Sequence, residues 1–280
     1  MWRIPVLTAS SLFAFIFVAG CLSVPESAKA PLIAIEQSLV FWPVTYPKGD
    51  WILEPGVEDA WFKSADDTQL HGWYAEVKQP RAVVLYAHGN AGNITDVRPY
   101  LRLFRDRLNV SILVFDYRGY GKSSGSPTEV GIIDDARAAR LWLAKRVGIP
   151  EIDIVLVGHS LGGGVVVDLA ARDGARGLVL ENTFTSLPDA AVTHVPLRPL
   201  MQMQFDSLTK LPNYRGPLLQ THGDADRVIP FAIGCKLFDA ANEPKRFVPI
   251  HGGDHNDPPS PDYVKALDRF LDSLPVRIAD

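Results

Sequence analysis

The segment from Val155 to Val165 restricts the possible folds of this chain more than any other stretch. An apolar, β-branched run over residues 152–157 leads into Gly158-x-Ser160-x-Gly162, and a second apolar run follows at once. This order predicts a strand, a very sharp turn and a helix. In so tight a turn the two backbones approach each other, which leaves no room for a Cβ at either glycine. The serine between them then adopts a strained backbone conformation that exposes its hydroxyl.

A strained, exposed hydroxyl at the start of a helix is suited to a nucleophile. The amide of the next residue, Leu161, points to the place where an oxyanion would form. The alternative is chance: glycine and serine are each about 7% of residues, so about one chain in ten of this length contains the pattern by accident. The strand before it and the helix after it make the pattern a much stronger indication at Ser160.

Length and composition exclude several classes of protein. The 280 residues suffice for one large α/β domain or two small ones, and 47% hydrophobic with 21% charged residues is ordinary for a globular protein. The formal charge of −4 and the lack of a basic cluster argue against a nucleic-acid partner. The two cysteines, Cys21 and Cys235, cannot form a disulfide framework. Cys235 has helical spacing to two phenylalanines and is expected to be a buried apolar residue, not a nucleophile.

The N-terminus has the features of a targeting segment. Residues 1–20 contain Arg3 and then an apolar run over 6–18 that is too short for a comfortable membrane span. The run ends in Val-Ala-Gly-Cys21, which resembles a bacterial lipobox and implies cleavage before Cys21 and lipidation of it. This would give an exported lipoprotein anchored in the membrane, on the periplasmic face of the outer membrane if the source has two membranes. An uncleaved anchor with an incidental cysteine is the alternative.

Residues 21–31 are small, polar and proline-containing, and are interpreted as a tether before a domain over 32–280. Its first part predicts short strands at 51–54, 60–64 and 70–77, which suggests an antiparallel start to a sheet. From residue 82 strands and helices alternate. The predicted strands are 82–87, 111–115, 152–157, 177–180, 217–221 and 247–250; the predicted helices are 97–107, 130–147, 160–172, 230–241 and 261–271. The 130–147 helix is expected to point Ile133, Ala136, Ala139, Leu141, Leu143 and Ala144 inward.

This alternation predicts an α/β fold with a doubly wound, mostly parallel sheet in a single domain. Loops at the carboxyl ends of parallel strands open on one edge, so catalytic groups are expected there. Besides Ser160, three loops follow strands with suitable residues: 88–93, 221–230 and 251–257. The first is rich in glycine, and the amide of its Asn90 is the natural partner of the Leu161 amide in an oxyanion hole; an ordinary strand-to-helix turn is the alternative.

The other two loops carry carboxylates and histidines. Asp224 and Asp226 lie in the second, where one of them should orient a histidine. His255 lies among small residues in the third and could reach Ser160, whereas His251 directly ends a strand and is expected to be structural. The chain order serine, aspartate, histidine matches hydrolases of this topology.

These motifs, with Val-Phe-Trp-Pro at 40–43, Asp-Tyr-Arg-Gly-Tyr-Gly at 116–121 and Glu-Asn-Thr-Phe-Thr-Ser at 181–186, resemble the Bem46-like branch of the α/β-hydrolases. The resemblance covers nearly everything after residue 38. It implies that Ser160 is the nucleophile, Asp226 the acid and His255 the base, with the oxyanion amides on Asn90 and Leu161. Asp224 is the competing candidate for the acid, and Glu181 a distant third.

Several further residues near the predicted site are expected to have structural and not catalytic roles. Asp116 and Arg118 follow a strand and are expected to brace their loop, and His159 is expected to pack or to hydrogen-bond within its loop. A metal site is not expected, since no His-x-His or cysteine pair has ligand spacing and the triad already uses His255 and Asp226. No cofactor is expected, and the sequence gives no indication of the oligomeric state.

Residues 184–214 replace a full lid, and their apolar side chains, interrupted by prolines, suit a short cap over an acyl pocket. A connection that fills its own small core is equally compatible with them. The cap and the membrane tether favour a carboxylic ester or thioester hydrolase acting on a small-molecule or lipid acyl substrate through an acyl-enzyme. The alternatives are a peptidase and an inactive, lipid-anchored binding or scaffold protein on the same fold.

Overall fold

The computed structural model describes residues 36–191 and 201–275. The predicted signal peptide, Cys21, the tether and part of the predicted cap lie outside these residues. Within them, no helix is both long enough and apolar enough to cross a membrane.

An eight-stranded sheet forms the centre of the molecule. Its strands are β1 (Val57–Lys63), β2 (Gln69–Ala75), β3 (Ala82–Ala87), β4 (Val110–Asp116), β5 (Val155–His159), β6 (Gly177–Glu181), β7 (Leu218–Gly223) and β8 (Lys245–Ile250). They lie side by side in the order β1-β2-β4-β3-β5-β6-β7-β8. The first two strands pair antiparallel, as do β2 and β4, and all other neighbours are parallel. The prediction of a doubly wound, mostly parallel sheet with an antiparallel start is confirmed.

Helices cover both faces of this sheet. They are α1 (Arg98–Arg102, followed by a π-helical turn, Leu103–Arg107), α2 (Glu129–Val147), α3 (Leu161–Asp173), α4 (Leu187–Ala190), α5 (Ser207–Lys210), α6 (Phe231–Ala240) and α7 (Pro261–Ser273). Short 3₁₀ turns lie at Ile94–Val97, Glu151–Asp153 and Leu211–Asn213. Residues 36–40 are helical as well.

The central strands are mostly apolar because both of their faces are covered. Alternate residues of β3 enter two separate core clusters: Val83 and Leu85 pack with α2 and α3, while Val84 and Tyr86 pack with α1 and α7. Every residue of β3 is buried. This two-sided burial makes the sheet a rigid platform for the loops at its carboxyl edge.

Three local predictions are wrong. Residues 51–54 form no strand: the side chain of Ile52 is 79% exposed, and Trp51 instead packs its ring against Trp73. Leu141 is exposed, because the buried stripe of α2 runs through residues 132, 136, 139 and 143, and Leu141 lies two positions away from it. In α6 the buried residues are Gly234 and Leu237, and Cys235 is only partly buried.

Candidate active site

Ser160 lies between the end of β5 and the start of α3 with φ 53° and ψ −118°, a left-handed conformation that is unfavourable for serine. The adjoining glycines show why the turn is possible. A Cβ on Gly158 would lie 2.4 Å from the carbonyl oxygen of Gly162, inside any allowed contact. Close approach of the two backbones therefore presents the serine hydroxyl at the carboxyl edge of the sheet.

Three side chains from separate loops meet at this edge. Nε2 of His255 lies 3.0 Å from Oγ of Ser160, and Nδ1 of the same ring lies 2.7 Å from Oδ2 of Asp226. An ionised carboxylate only accepts hydrogen bonds, so Nδ1 carries the proton and Nε2 is left to accept one from the serine hydroxyl. The structure thus brings together the three residues to which the sequence assigned the roles of nucleophile, base and acid.

Asp226 is fixed from its other side. Its Oδ1 accepts hydrogen bonds from the amides of Val228 and Ile229, both at 2.8 Å, and its side chain is fully buried. Burial raises the pKa of this carboxyl, but hydrogen bonds from His222, His255 and the Ile229 amide outweigh it and hold the pKa well below the usual range. Asp226 is therefore ionised at neutral pH and can stabilise a positive charge on the imidazole.

The two competing carboxylates lie elsewhere. Asp224 pairs with the ring of His251 at 2.9 Å on the surface. Glu181 is buried at the end of β6, where the hydroxyls of Tyr263 and Tyr86 donate to it. Burial raises the pKa of Glu181 to about 7, although those hydrogen bonds oppose the shift. His251, predicted to be structural, thus contacts the exposed aspartate and not the triad.

The loop after β3 is held by the N-terminal part of the described chain. Trp42 and Pro43 pair in parallel with Ala91 and Gly92, and the Asn90 side-chain amide donates to the Val40 carbonyl at 2.8 Å. The Asn90 carbonyl accepts from the Trp42 amide and the Tyr120 hydroxyl. These bonds fix the peptide unit after Asn90, and Nδ1 of His88, 2.8 Å from the Gly89 carbonyl, contacts the peptide unit before it.

Leu161 is the first residue of α3, so its amide has no acceptor within the helix. Asn90, Leu161 and Ser160 line the same cavity. Both residues therefore lie beside the nucleophile, and the assignment of their amides to an oxyanion hole stays a prediction.

Asp116 and Arg118 brace the neighbouring loops. Asp116 is fully buried and accepts from the Ile94 amide at 2.9 Å, directly after the 88–93 loop. The guanidinium of Arg118 pairs with Asp135 of α2 at 2.8 Å and with Asp66 at 2.8 Å. None of these interactions involves Ser160 or His255.

A cavity of about 980 Å³ opens beside Ser160. Most of its lining is apolar or aromatic: Leu39, Val40, Trp42, Tyr86, Val97, Pro99, Tyr100, Phe184, Leu187, Ala190, Met201, Val228 and Ile229. Three carboxylates, Glu36, Asp96 and Asp257, also line it, and the described part of the lining contains no lysine or arginine. A cavity of this size and polarity can hold an extended acyl chain.

Two glutamates that sequence reasoning missed attach one wall of this cavity to the domain. The carboxylate of Glu36 accepts from the amides of Gln202 and Met203, both at 2.9 Å. Glu129, at the start of α2, accepts from the next two amides, Gln204 and Phe205, at 2.7 and 2.8 Å. No pattern in the sequence links these glutamates to a segment more than 70 positions away.

Sequence reasoning also gave no role at the triad to His222 or Asn182. The buried Nε2 of His222 lies 2.9 Å from the Ile229 carbonyl and 3.3 Å from Oδ2 of Asp226, so it supports the acid. Asn182 contacts the loop of the base. A signal existed for both at the catalytic edge, since His222 directly follows one predicted strand and Asn182 lies two positions after the end of another. Within residues 36–191 and 201–275, no group of three or more histidine, cysteine, aspartate or glutamate side chains could hold a metal ion.

Comparisons with known proteins show the family to which this chain belongs. A family model described as the alpha/beta hydrolase fold matches residues 82–220. An uncharacterized protein of Mycobacterium tuberculosis is 33% identical over 270 residues, covering 90% of this chain and 95% of that protein. The protein bem46 of Schizosaccharomyces pombe is 34% identical over 194 residues, covering 65% and 64%. The chain belongs to the Bem46-like α/β-hydrolases.

Solved structures support the fold of this Bem46-like hydrolase. An esterase of Pyrococcus furiosus superposes with a TM-score of 0.69 at 18% identity, covering 84% of this chain and 98% of the other. The esterase domain of a Rhodothermus marinus protein gives a TM-score of 0.60 at 21% identity, with 77% and 96% covered. At such low identity the likeness concerns the fold alone.

Proposed function

We propose that this Bem46-like hydrolase cleaves carboxylic esters or thioesters of acyl groups through an acyl-enzyme. One observation carries the proposal: the continuous chain of contacts from Oγ of Ser160 through His255 to the buried carboxylate of Asp226. A hydroxyl, an imidazole and a carboxylate in this order form a nucleophile, a general base and its orienting acid.

The reaction follows from the positions of these groups. Oγ of Ser160 attacks the substrate carbonyl carbon while Nε2 of His255 takes the hydroxyl proton. The Asn90 and Leu161 amides would stabilise the oxyanion of the tetrahedral intermediate. Its collapse breaks the bond to the leaving group, which departs with the proton from Nε2 as an alcohol or thiol. Water then attacks the acyl-enzyme by the same route and releases the carboxylic acid and Ser160.

The cavity supports an acyl substrate. Burial of apolar chain contributes about 0.8 kcal/mol per methylene, so an apolar space of about 980 Å³ favours longer acyl groups. The three lining carboxylates and the lack of described lysine or arginine favour an uncharged leaving group over an anionic one. A lipid-like acyl ester fits both features. The lipobox-like segment ending at Cys21 supports export of the enzyme and its anchoring at a membrane surface, where such substrates are concentrated.

A fluorophosphonate probe tests whether Ser160 is a working nucleophile. We expect covalent labelling of the wild type and of the surface variant Ser124→Ala, and no labelling of Ser160→Ala. Equal labelling of all three, or none of the wild type, would favour the alternative of an inactive binding or scaffold protein. A panel of p-nitrophenyl esters, acyl thioesters and aminoacyl amides with the same variants then separates an esterase from a peptidase.

A further inference from the structure

The acid and the base of the site are carried by two loops that are joined to each other. The Ala225 amide donates to the Gly253 carbonyl, and the Asp224 amide donates to the Ile250 carbonyl, both at 3.1 Å. The Arg227 amide donates to Oδ1 of Asp254 at 3.0 Å, and the two side chains form an ion pair. These contacts hold Asp226 and His255 together without any participation of the nucleophile.

Ser160 lies on a separate element, between β5 and α3. The separation between Nε2 and Oγ therefore depends on what joins the paired loops to this element. The main-chain carbonyl of His255 provides the junction, because it accepts two side-chain hydrogen bonds. The side-chain amide of Asn182 donates to this carbonyl oxygen at 2.8 Å. Nε2 of His159, the neighbour of Ser160, lies 3.1 Å from the same oxygen.

His159 is suited to donate in this contact. Burial, and then the neighbouring His255, lower the pKa of His159 to about 4, so its ring is neutral at physiological pH. A neutral ring whose Nε2 faces a carbonyl oxygen carries its proton on that nitrogen.

Asn182 joins three parts of the site at once. Its side-chain oxygen accepts from the Gly223 amide at 3.0 Å, where β7 leads into the loop of Asp226. The main-chain amide of Asn182 donates to the Thr221 carbonyl at 3.0 Å. The residue has φ 45°, a left-handed conformation that asparagine tolerates better than most other residues. Both ends of the side-chain amide thus bind backbone groups of the loops that carry the acid and the base.

We propose that Asn182 is a positioning residue that sets the distance between His255 and Ser160 by holding the His255 carbonyl, with His159 as a second donor. Without Asn182 the two loops are still joined directly by the amides of Asp224, Ala225 and Arg227, so the contact between His255 and Asp226 should persist. The inference rests on the proposed hydrolase function and adds to it the group that aligns base with nucleophile.

Asn182→Gly tests this directly, since glycine accepts the left-handed backbone and removes both side-chain hydrogen bonds. We expect kcat for an ester to fall at least about tenfold with KM within about threefold, because chemistry and not binding is affected. The acidic midpoint of the kcat/KM profile should stay within about half a pH unit of the wild type, because the Asp226–His255 pair persists. A kcat within threefold of the wild type would overturn the proposal.

Asn109→Gly is the matched control. Asn109 also has a left-handed backbone, φ 52°, and a single side-chain hydrogen bond to a carbonyl, that of Gln79, far from the site. Its replacement should leave kcat unchanged. If Asn182→Gly proves unstable in urea, Asn182→Asp serves instead: its carboxylate still accepts from the Gly223 amide but cannot donate to the His255 carbonyl. We expect at least a tenfold loss of kcat here too, and an active Asn182→Asp would contradict the proposal.

The two donors should show coupling. His159→Gln keeps an amide donor and should retain more activity than His159→Leu. Because both donors hold one carbonyl, Asn182→Gly combined with His159→Leu should lose less than the product of the single losses. A loss of kcat in the double variant equal to the product of the two single losses would argue against a shared role.

Crystal structures of wild type and Asn182→Gly test the geometry apart from activity. The Oγ–Nε2 separation should exceed hydrogen-bonding range, about 3.5 Å, while the contact from His255 to Asp226 is kept. An unchanged separation overturns the proposal even if kcat of the variant has fallen. Failure of the wild type to react with any acyl substrate would count against the proposed function and would leave this structural comparison valid.

Discussion

The backbone carbonyl oxygen of Ala87 occupies the place where a side chain on Gly162 would begin: a Cβ there would lie only 2.0 Å from it. Ala87 ends the strand that leads into the Asn90 loop, and Gly162 lies in the first turn of the helix that begins at Leu161. This contact therefore fixes the distance between the two amides assigned to the oxyanion hole, and it links the stability of the turn to its chemistry.

Gly162→Ala should damage both properties. The clash involves backbone on both sides, so β3 and α3 must move apart, and we expect a loss of about 2–4 kcal/mol in the free energy of unfolding measured in urea. Labelling by a fluorophosphonate should fall as the amides separate. Gly164→Ala is the control on the same helix, since its Cβ would meet only side-chain atoms of Phe205 and Phe184 at 3.2–3.4 Å. Similar unfolding curves for the two variants would contradict the close approach.

Asp226→Asn should remove nearly all activity. The asparagine oxygen would face the amides of Val228 and Ile229, which turns its NH₂ group toward His255 and forces the wrong tautomer on the ring. A loss of about 10³–10⁴ in kcat for an ester follows. Asp224→Asn, two positions away, removes the same charge from a surface pair and should change kcat less than about twofold. A large loss of kcat in Asp224→Asn, with kcat of Asp226→Asn nearly unchanged, would assign the acid to Asp224.

Glu181→Gln should stabilise the protein at neutral and alkaline pH. Burial raises the pKa of Glu181 from 4.5 to about 7, so the folded state holds this proton more tightly than the unfolded state does. The wild type therefore loses stability as the pH rises from 4.5 to 7, whereas glutamine does not titrate. The variant's advantage in free energy of unfolding should grow over that interval to about 3 kcal/mol and then level off. Denaturation at several pH values measures it, and a difference independent of pH would refute the assignment.

Ala190→Trp should shorten the range of acyl chains accepted. Ala190 lines the cavity together with Leu187 and Met201, and an indole there would fill space that a long chain would use. We expect kcat/KM for decanoyl and longer p-nitrophenyl esters to fall at least about tenfold, while acetyl and butyryl esters, which need little of the cavity, change less than about threefold. A uniform loss over all chain lengths would indicate that the cavity does not hold the acyl group.

The charge of the lining predicts a preference among thioesters. The leaving group of an acyl-coenzyme A thioester is anionic and would approach a cavity lined by Asp96 and Asp257, whereas the matching N-acetylcysteamine thioester is uncharged. We expect a lower KM for the uncharged thioester, and a KM for the coenzyme A thioester that falls as salt is added, because screening weakens repulsion. Asp257→Asn should narrow the difference. A lower KM for the coenzyme A thioester than for the uncharged thioester at low salt would contradict repulsion by these carboxylates.

The local sequence determined much of this protein. The glycines around Ser160 and the apolar runs of the central strands each have a steric or hydrophobic reason that acts within a few residues, so the elbow and the mostly parallel sheet could be predicted. The same local view misplaced Leu141, because apolar character alone does not say which stripe of a helix faces the sheet.

The tertiary structure decided what depends on distant partners. Which aspartate faces His255, how the Asn182 amide binds the carbonyl of that residue, and which amides the carboxylates of Glu36 and Glu129 accept are all results of chain segments meeting after folding. Hydrogen bonds of this kind require atoms placed within a few tenths of an ångström, and nothing in the order of residues specifies such a position. The sequence determined which chemical groups are available, and the packing of the sheet determined which of them touch.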